Sequence, residues 1–250
     1  MGWSWYLAND MQFYWISPFM LIPLFYSKFF GTLMCLSLIL ANFLSSALIS
    51  KHNEYIIGGK SNDNFDKIYI KPWCRVGPYV VGIFTGYILY RTKCKVKMNK
   101  MVNLFGWLCA TTVALLVLYG VYNDNPEPKF NEDSSALYTA THRTAWGIAV
   151  AWVIFACATG NGGPINTILS WKVMIPLSRL SYCAYLVHPL VLNVYYGSRR
   201  TLMRWYDLEM IYLFLAHLCI SYAAAFVISL TFESPMMGLE RVLLRKQKNR

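Results

Sequence analysis

The chain has 250 residues, of which 56% are apolar, 16% aromatic and only 14% charged. A water-soluble domain carries nearer a quarter charged residues, so this balance excludes an ordinary globular protein. Its 23 Lys and Arg outnumber 12 Asp and Glu, for a formal charge of +11, but the cations sit in loops and at the tail, which excludes a nucleic-acid-binding face and fits membrane topology and anionic headgroups.

Apolar stretches of about 20 residues, each ~30 Å long as helix, recur along the sequence. They predict an all-α, polytopic transmembrane helix bundle of about seven segments, at roughly 11–26, 29–50, 76–90, 103–122, 144–160, 175–196 and 210–232. Just before the first lies Trp5-Tyr-Leu-Ala-Asn-Asp10-Met-Gln12-Phe-Tyr14. On a helix Asp10, Tyr14 and Ser17 share one face at i, i+4 and i+7. Asn9 or Asp10 can cap the helix here, or Asp10 can serve as a carboxylate at a membrane-embedded site, orienting an imidazole. Pro18 and Pro23 predict a kinked or tilted first segment.

The second segment, Phe29 to Ser50, is the cleanest. After it, the polar stretch 51–75, with Gly58, Gly59 and the Asn/Asp-rich Ser61 to Asp66, predicts a mobile hairpin or cap. It closes on Lys71-Pro-Trp-Cys-Arg75-Val-Gly-Pro78, a rigid lead into the third segment with a cation beside aromatics. Arg75 there is either an interfacial anchor or a holder of an anionic substrate group. Gly82 and Gly86 predict a small-residue track for close helix contact.

Arg91 to Lys100 carries five cations and no acid, which predicts a cytoplasmic loop. The next loop, Asn123 to Arg143, holds Asp124, Glu127, Glu132 and Asp133 against Lys129 and Arg143, fitting the outside. Alternation then places the amino terminus outside and the basic tail, 236–250, in the cytoplasm; only the loop with Arg199, Arg200 and Arg204 argues mildly against it. The fifth segment opens on Thr141-His142-Arg143-Thr144-Ala-Trp146. Arg143 can bind a carboxylate or phosphate, or snorkel. Gly160 to Asn166, joining segments five and six, matches no phosphate-binding fingerprint and reads as a loop.

The sixth segment bears the most suggestive polar stripe. Ser181, Tyr185 and His188 fall at i, i+4 and i+7 in Leu-Ser181-Tyr-Cys-Ala-Tyr185-Leu-Val-His188-Pro189. Such a stripe is costly in lipid unless it faces a bundle interior or wet cavity; a histidine satisfied by a neighbouring helix is the plainer alternative. The stripe and Asp10 are expected to meet in one shared hollow. His217, alone in the seventh segment, reads as a packing or hydrogen-bonding residue. The seven cysteines show no CxxC or zinc spacing, so neither a metal site nor a disulfide framework follows.

These motifs together resemble the acyltransferase 3 family, and more narrowly its animal branch, the nose-resistant-to-fluoxetine proteins. The family's Trp-Ser-Leu-x-x-Glu-x-Gln-Phe-Tyr form is similar to Trp5 to Tyr14, with Asp10 for Glu, and its Ser-Tyr-x-x-Tyr-Leu-x-His form to Ser181 to His188. Its closing Glu-x-Pro is similar to Glu233-Ser-Pro235, and the animal branch shares forms like Tyr69 to Pro78 and His142 to Trp146. The resemblance implies a single acyltransferase domain over residues 1–235. It implies transfer of an acyl group, not aminoacyl, from an acyl-coenzyme A co-substrate to a hydroxyl acceptor in the membrane, with no bound cofactor or metal and membrane lipids as surroundings. Asp10 and His188 would be catalytic, while Gln12, Tyr14, Arg75, Arg143, Ser181 and Tyr185 would bind substrate. The family's proposed catalytic histidine lies in an earlier span with no counterpart here. The chain is therefore expected to be a truncated reading or a remnant of a longer protein, inactive by itself. The alternative implied by the animal branch is non-enzymatic uptake of lipids or small amphipathic compounds.

The topology is directly testable at Cys94, within the basic loop. In a Cys74→Ser chain on intact cells, a membrane-impermeant maleimide should label Cys94 only after permeabilisation; labelling before it reverses the orientation.

Overall fold

The computed structural model describes residues 2–53, 68–122, 130–200 and 206–248. Most of the expected hairpin over 51–75, the charges Asp124, Glu127 and Lys129, and Arg204 lie outside the described residues. The described elements are helical, with no strand among them: α1 (Trp5–Tyr26), α2 (Lys28–His52), α3 (Val76–Thr92), α4 (Lys100–Tyr119), α5 (Glu132–Ala158), α6 (Gly163–Leu169), α7 (Met174–Ser198), α8 (Asp207–Ile228) and α9 (Ser234–Lys248). Short 3-10 turns occupy Gly2–Ser4 and Pro72–Cys74, and a π-turn, Ser229–Glu233, joins α8 to α9.

Among the described residues, α2, α4 and the run Asp207–Glu240 are long and apolar enough to cross a membrane. A fourth span results if α5 and α6, bent by 90° at their junction, count as one broken span. α1 and α7 occupy two of the other expected segments, but Asn, Asp, Gln, Ser, Pro and His dilute their apolar runs. α3, with 17 residues, is short for a ~30 Å core.

The chain forms two compact units, one of Trp5–Thr167 and one of Met1–Ser4 with Ile168–Arg250. In the first, α5 packs against α2, α3 and α4. Its buried residues are all small: Ser135, Ala136, Thr139, Ala140, Thr144, Ala149 and Ala156. Between helices in lipid there is little hydrophobic drive, so close backbone approach through small residues supplies the contact. α5 starts at Glu132, well ahead of the apolar stretch expected at 144. Its 27 residues make a helix of ~40 Å, longer than the hydrocarbon core, so the polar Glu132 to Arg143 turns extend beyond the apolar stretch. Lys51 Nζ meets Asp133 Oδ1 there at 3.0 Å, an exposed ion pair at the ends of α2 and α5.

A close crossing falls at Gly77. A β-carbon at that position would collide with Thr144 Oγ1 of α5 and come within 2.7 Å of Asn42 Oδ1 of α2. Gly82 and Gly86, the pair expected to make the close contact, instead have open space beside them. Below this crossing, Met20, Leu24, Cys35 and Val80 form the apolar centre shared by α1, α2 and α3. Within α1, Pro18 has no N–H for the Tyr14 carbonyl, and Ser17 Oγ donates to that oxygen at 2.8 Å.

In the second unit α7 packs on α8, with Cys183, Ala184 and Ala225 buried at the contact. The π-turn brings Glu233 to α7: its Oε2 accepts from Ser229 Oγ at 2.7 Å and from the Cys183 thiol at 3.2 Å.

Two alanine substitutions separate tight from open glycines. Gly77→Ala should destabilise the protein by about 1–3 kcal/mol through overpacking, read as a lower Tm in detergent. Gly86→Ala should leave Tm unchanged or slightly raised. Equal Tm values for the two variants would contradict the crossing described.

Candidate functional site

Apart from the 3-10 turn Pro72–Cys74, the segment 69–75 runs to the head of α3 without α-helical bonding, so several of its carbonyls need side-chain donors. The chain provides them from buried side chains. Asn9 of α1, 5% exposed, donates Nδ2 to the Ile70 carbonyl at 2.7 Å. Asn42 of α2, 2% exposed, donates to the Trp73 carbonyl at 2.7 Å, where Ser45 Oγ donates as well at 3.3 Å. Arg143 of α5 reaches the Cys74 carbonyl at 3.2 Å. Arg75 turns back to the Tyr69 carbonyl through Nε at 2.6 Å. Pro72, at the start of the 3-10 turn, presets the local φ and has no N–H to satisfy.

This clamped segment places two cations among aromatic rings. The Arg75 guanidinium lies 4.5 Å from the Trp5 ring centroid and 4.4 Å from that of Tyr69, and Arg143 lies 5.3 Å from Tyr69. Guanidinium is weakly hydrated and stacks on such faces, so the rings hold the charges in a partly dry position.

Beside them opens a cleft of about 530 Å³. Tyr6, Asn9, Asp10 and Phe13 of α1 line one side, and Arg75, Pro78 and Tyr79 another. Val117 and Leu118 of α4 and His142, Arg143, Trp146 and Gly147 of α5 complete the wall. The His142 ring stacks in parallel on Tyr138, with centroids 5.0 Å apart, and its Nδ1 lies 2.8 Å from the Tyr138 carbonyl. A carbonyl only accepts, so Nδ1 carries the proton and Nε2 keeps a lone pair. His142 precedes the apolar stretch of α5. Burial holds its pKa below the ordinary histidine value, the hydrogen bond to Tyr138 opposes this, and Arg143 and Arg75 lower it further. Burial pushes the Asp10 carboxyl, ahead of the apolar part of α1, upwards.

Of the residues singled out from the sequence, the cleft gathers Asp10, Arg75 and Arg143. Gln12 and Tyr14 are exposed and lie outside its lining, Tyr14 at 70%. The face of α1 that meets the cleft runs Tyr6, Asn9, Asp10 and Phe13, one turn earlier than Asp10, Tyr14 and Ser17. The helix starts at Trp5, so Asn9 and Asp10 sit in its second turn and neither caps it. His142 was legible only as part of an anchoring motif; Tyr138 four residues before it is the signal that a stacked, tautomer-fixing partner exists.

Ser181, Tyr185 and His188 line a cavity of about 370 Å³ between α7 and α8, in the second unit. Asp10 thus lines the cleft of the first unit and His188 the cavity of the second. Tyr185 donates its hydroxyl to the Trp3 carbonyl at 2.7 Å, and Ser181 to the Ser178 carbonyl at 2.7 Å. His188 Nδ1 lies 3.2 Å from the Ala184 carbonyl.

Residues 1–233 match a family described as an acyltransferase domain, acyltransferase 3. The chain is also 33% identical over 267 aligned residues to nose resistant to fluoxetine protein 6 of Caenorhabditis elegans. That alignment covers 99% of this chain and 32% of the relative, so the chain spans about a third of the length of the curated relative it matches. No solved structure matches the chain.

If the buried asparagines hold the segment beneath the arginines, removing either should loosen it. Asn9→Leu strands the Ile70 carbonyl and Asn42→Leu leaves the Trp73 carbonyl only its longer bond from Ser45, at a cost of about 1–3 kcal/mol for the first and less for the second. Hydrogen exchange at 70–76 should speed up in both variants; exchange as slow as in the parent chain would show that the clamp is not needed.

Proposed function

We propose that this chain, which belongs to the acyltransferase 3 family, forms the part of a multi-pass membrane acyltransferase in which the first unit's cleft handles the acyl donor and acceptor. The observation that carries the reading is one cleft holding an imidazole, a carboxylate and two guanidinium groups, those of His142, Asp10, Arg75 and Arg143. The donor is an acyl-coenzyme A thioester and the acceptor a hydroxyl. His142 Nε2 takes the proton of that hydroxyl as its oxygen bonds to the acyl carbon. The carbon–sulfur bond breaks, and the departing thiolate receives the proton from the imidazolium. Arg75 and Arg143 stabilise charge on the acyl oxygen or hold donor phosphates, and Asp10 supports the imidazolium through space. His142 takes the role of base in place of His188 because it shares the cleft with Asp10 and both arginines.

The same reading retains the seven-segment topology, with the amino terminus outside and the tail inside. It also retains a single acyltransferase domain over 1–235 with a basic tail at 236–250. Four crossings come from α2, α4, α5 with α6, and the Asp207–Glu240 run. α1, α3 and α7 supply the remainder, their polar residues diluting the apolar runs.

The test is labelled-acyl transfer to amphiphilic alcohols in membranes from cells producing the chain. His142→Ala should lower kcat about 10²- to 10⁴-fold, and Arg75→Gln should mainly raise KM for the donor. Since burial lowers the His142 pKa, the acid limb of the kcat/KM profile should fall below the ordinary histidine value of about 6.5. Transfer undiminished in His142→Ala, with the variant present at parental levels, contradicts this assignment.

A further inference from the structure

The cavity between α7 and α8 contains an unexplained polar group. Both ring nitrogens of His217 are buried and have no hydrogen-bond partner. The ring is wedged against Tyr195 and Tyr196, with centroids 4.7 and 5.7 Å away, so packing fixes it in place. An uncharged imidazole has one N–H to give and one lone pair to fill. Leaving both unmet in a low-dielectric interior is costly, so a buried orphan of this kind calls for a partner that the protein's own groups do not supply.

His217 lines the same hollow as His188, Ser181, Tyr185, Ser221 and Tyr222, and the remaining wall is aliphatic or aromatic. No Lys, Arg, Asp or Glu borders it. Ser181 and Tyr185 have committed their hydroxyl protons to backbone carbonyls and can still accept. His188 has one ring nitrogen engaged with the Ala184 carbonyl. The polar end of an occupant must therefore both donate and accept, and no charged side chain stands ready to balance an ionised head. A hydroxyl meets these conditions, and a carboxylate or ammonium does not. The cavity of about 370 Å³, apolar over most of its lining, suits a hydrocarbon body.

We propose that the α7–α8 cavity is a binding site for a neutral lipid bearing a free hydroxyl, anchored by His217. The chemistry is common to a sterol and to an acylglycerol. It goes beyond acyl transfer and stands whether or not the first unit's cleft is catalytic, because the measurement is of binding.

The full chain in cell membranes is irradiated with clickable diazirine probes: a 3β-hydroxysterol, a monoacylglycerol and, as the charged control, a fatty acid. Labelled peptides are then mapped. Adducts on α7 and α8 from the sterol, the monoacylglycerol or both support the site and tell the two sources apart. His217→Phe, which keeps the ring and loses both nitrogens, should reduce that labelling about five- to tenfold. His217→Gln, which restores a donor and an acceptor, should recover much of it. If His217→Phe does not accumulate, competition on the parent chain decides: excess unlabelled 3β-hydroxysterol or monoacylglycerol should suppress labelling, and its deoxy counterpart should not. Equal competition by the deoxy compound, labelling unchanged in His217→Phe, stronger labelling by the fatty acid, or no adduct on α7 and α8 would each overturn the proposal.

Discussion

A chain that leaves α-helical geometry loses the intrahelical donors for its carbonyls, and side chains must supply others. Residues 69–75 do this, and Asn9, Asn42, Arg75 and Arg143 answer for the carbonyls of Ile70, Trp73, Tyr69 and Cys74. Each donor comes from a different place in the first unit: α1, α2, the segment itself and α5. One irregular stretch therefore joins the elements that surround the cleft. It also delivers Arg75 to the cleft, stacked on Trp5 and Tyr69 and unable to swing away without breaking backbone bonds.

The helix opposite is built to come close. α5 buries only small residues along its contact face, and Gly77 lets the head of α3 lie against Thr144 and Asn42. That closeness has an electrostatic result. His142 and Arg143 are neighbours in sequence, yet burial lowers the pKa of the first while the second is spent on a backbone carbonyl and an aromatic face. A cleft with an unprotonated imidazole nitrogen beside fixed positive charge suits attack on an acyl carbon, where a proton must leave and negative charge must be steadied.

Much of this was legible in the residues. The all-helical class followed from apolar runs of the right length, and the family from Trp5 to Tyr14, Tyr69 to Pro78 and Ser181 to His188, all within the matched 1–233 or abutting its described parts. Asp10, Arg75 and Arg143 were singled out as candidates, and they line one cleft; their meeting there depends on the clamp by Asn9 and Asn42, which periodicity does not show. Gln12 and Tyr14 lie outside the cleft lining because the side of α1 that packing turns towards it carries Tyr6, Asn9, Asp10 and Phe13. Gly82 and Gly86 had the spacing of a contact track, but the neighbour that decides tightness is set by tertiary packing, and it met Gly77. His217 read as a packing or hydrogen-bonding residue; it does pack, on Tyr195 and Tyr196, and only three dimensions show that its ring nitrogens meet no hydrogen-bond partner.

The central claim is that the acyl donor sits in the cleft of the first unit. A photoreactive acyl-coenzyme A analogue, crosslinked to the chain in membranes and mapped by peptide mass spectrometry, tests it most directly. Adducts should fall on α1 near Asp10, on 75–79 and on α5 near His142, and excess unlabelled acyl-coenzyme A should suppress them. Adducts confined to other helices, or labelling that the natural donor leaves unchanged, would contradict the account.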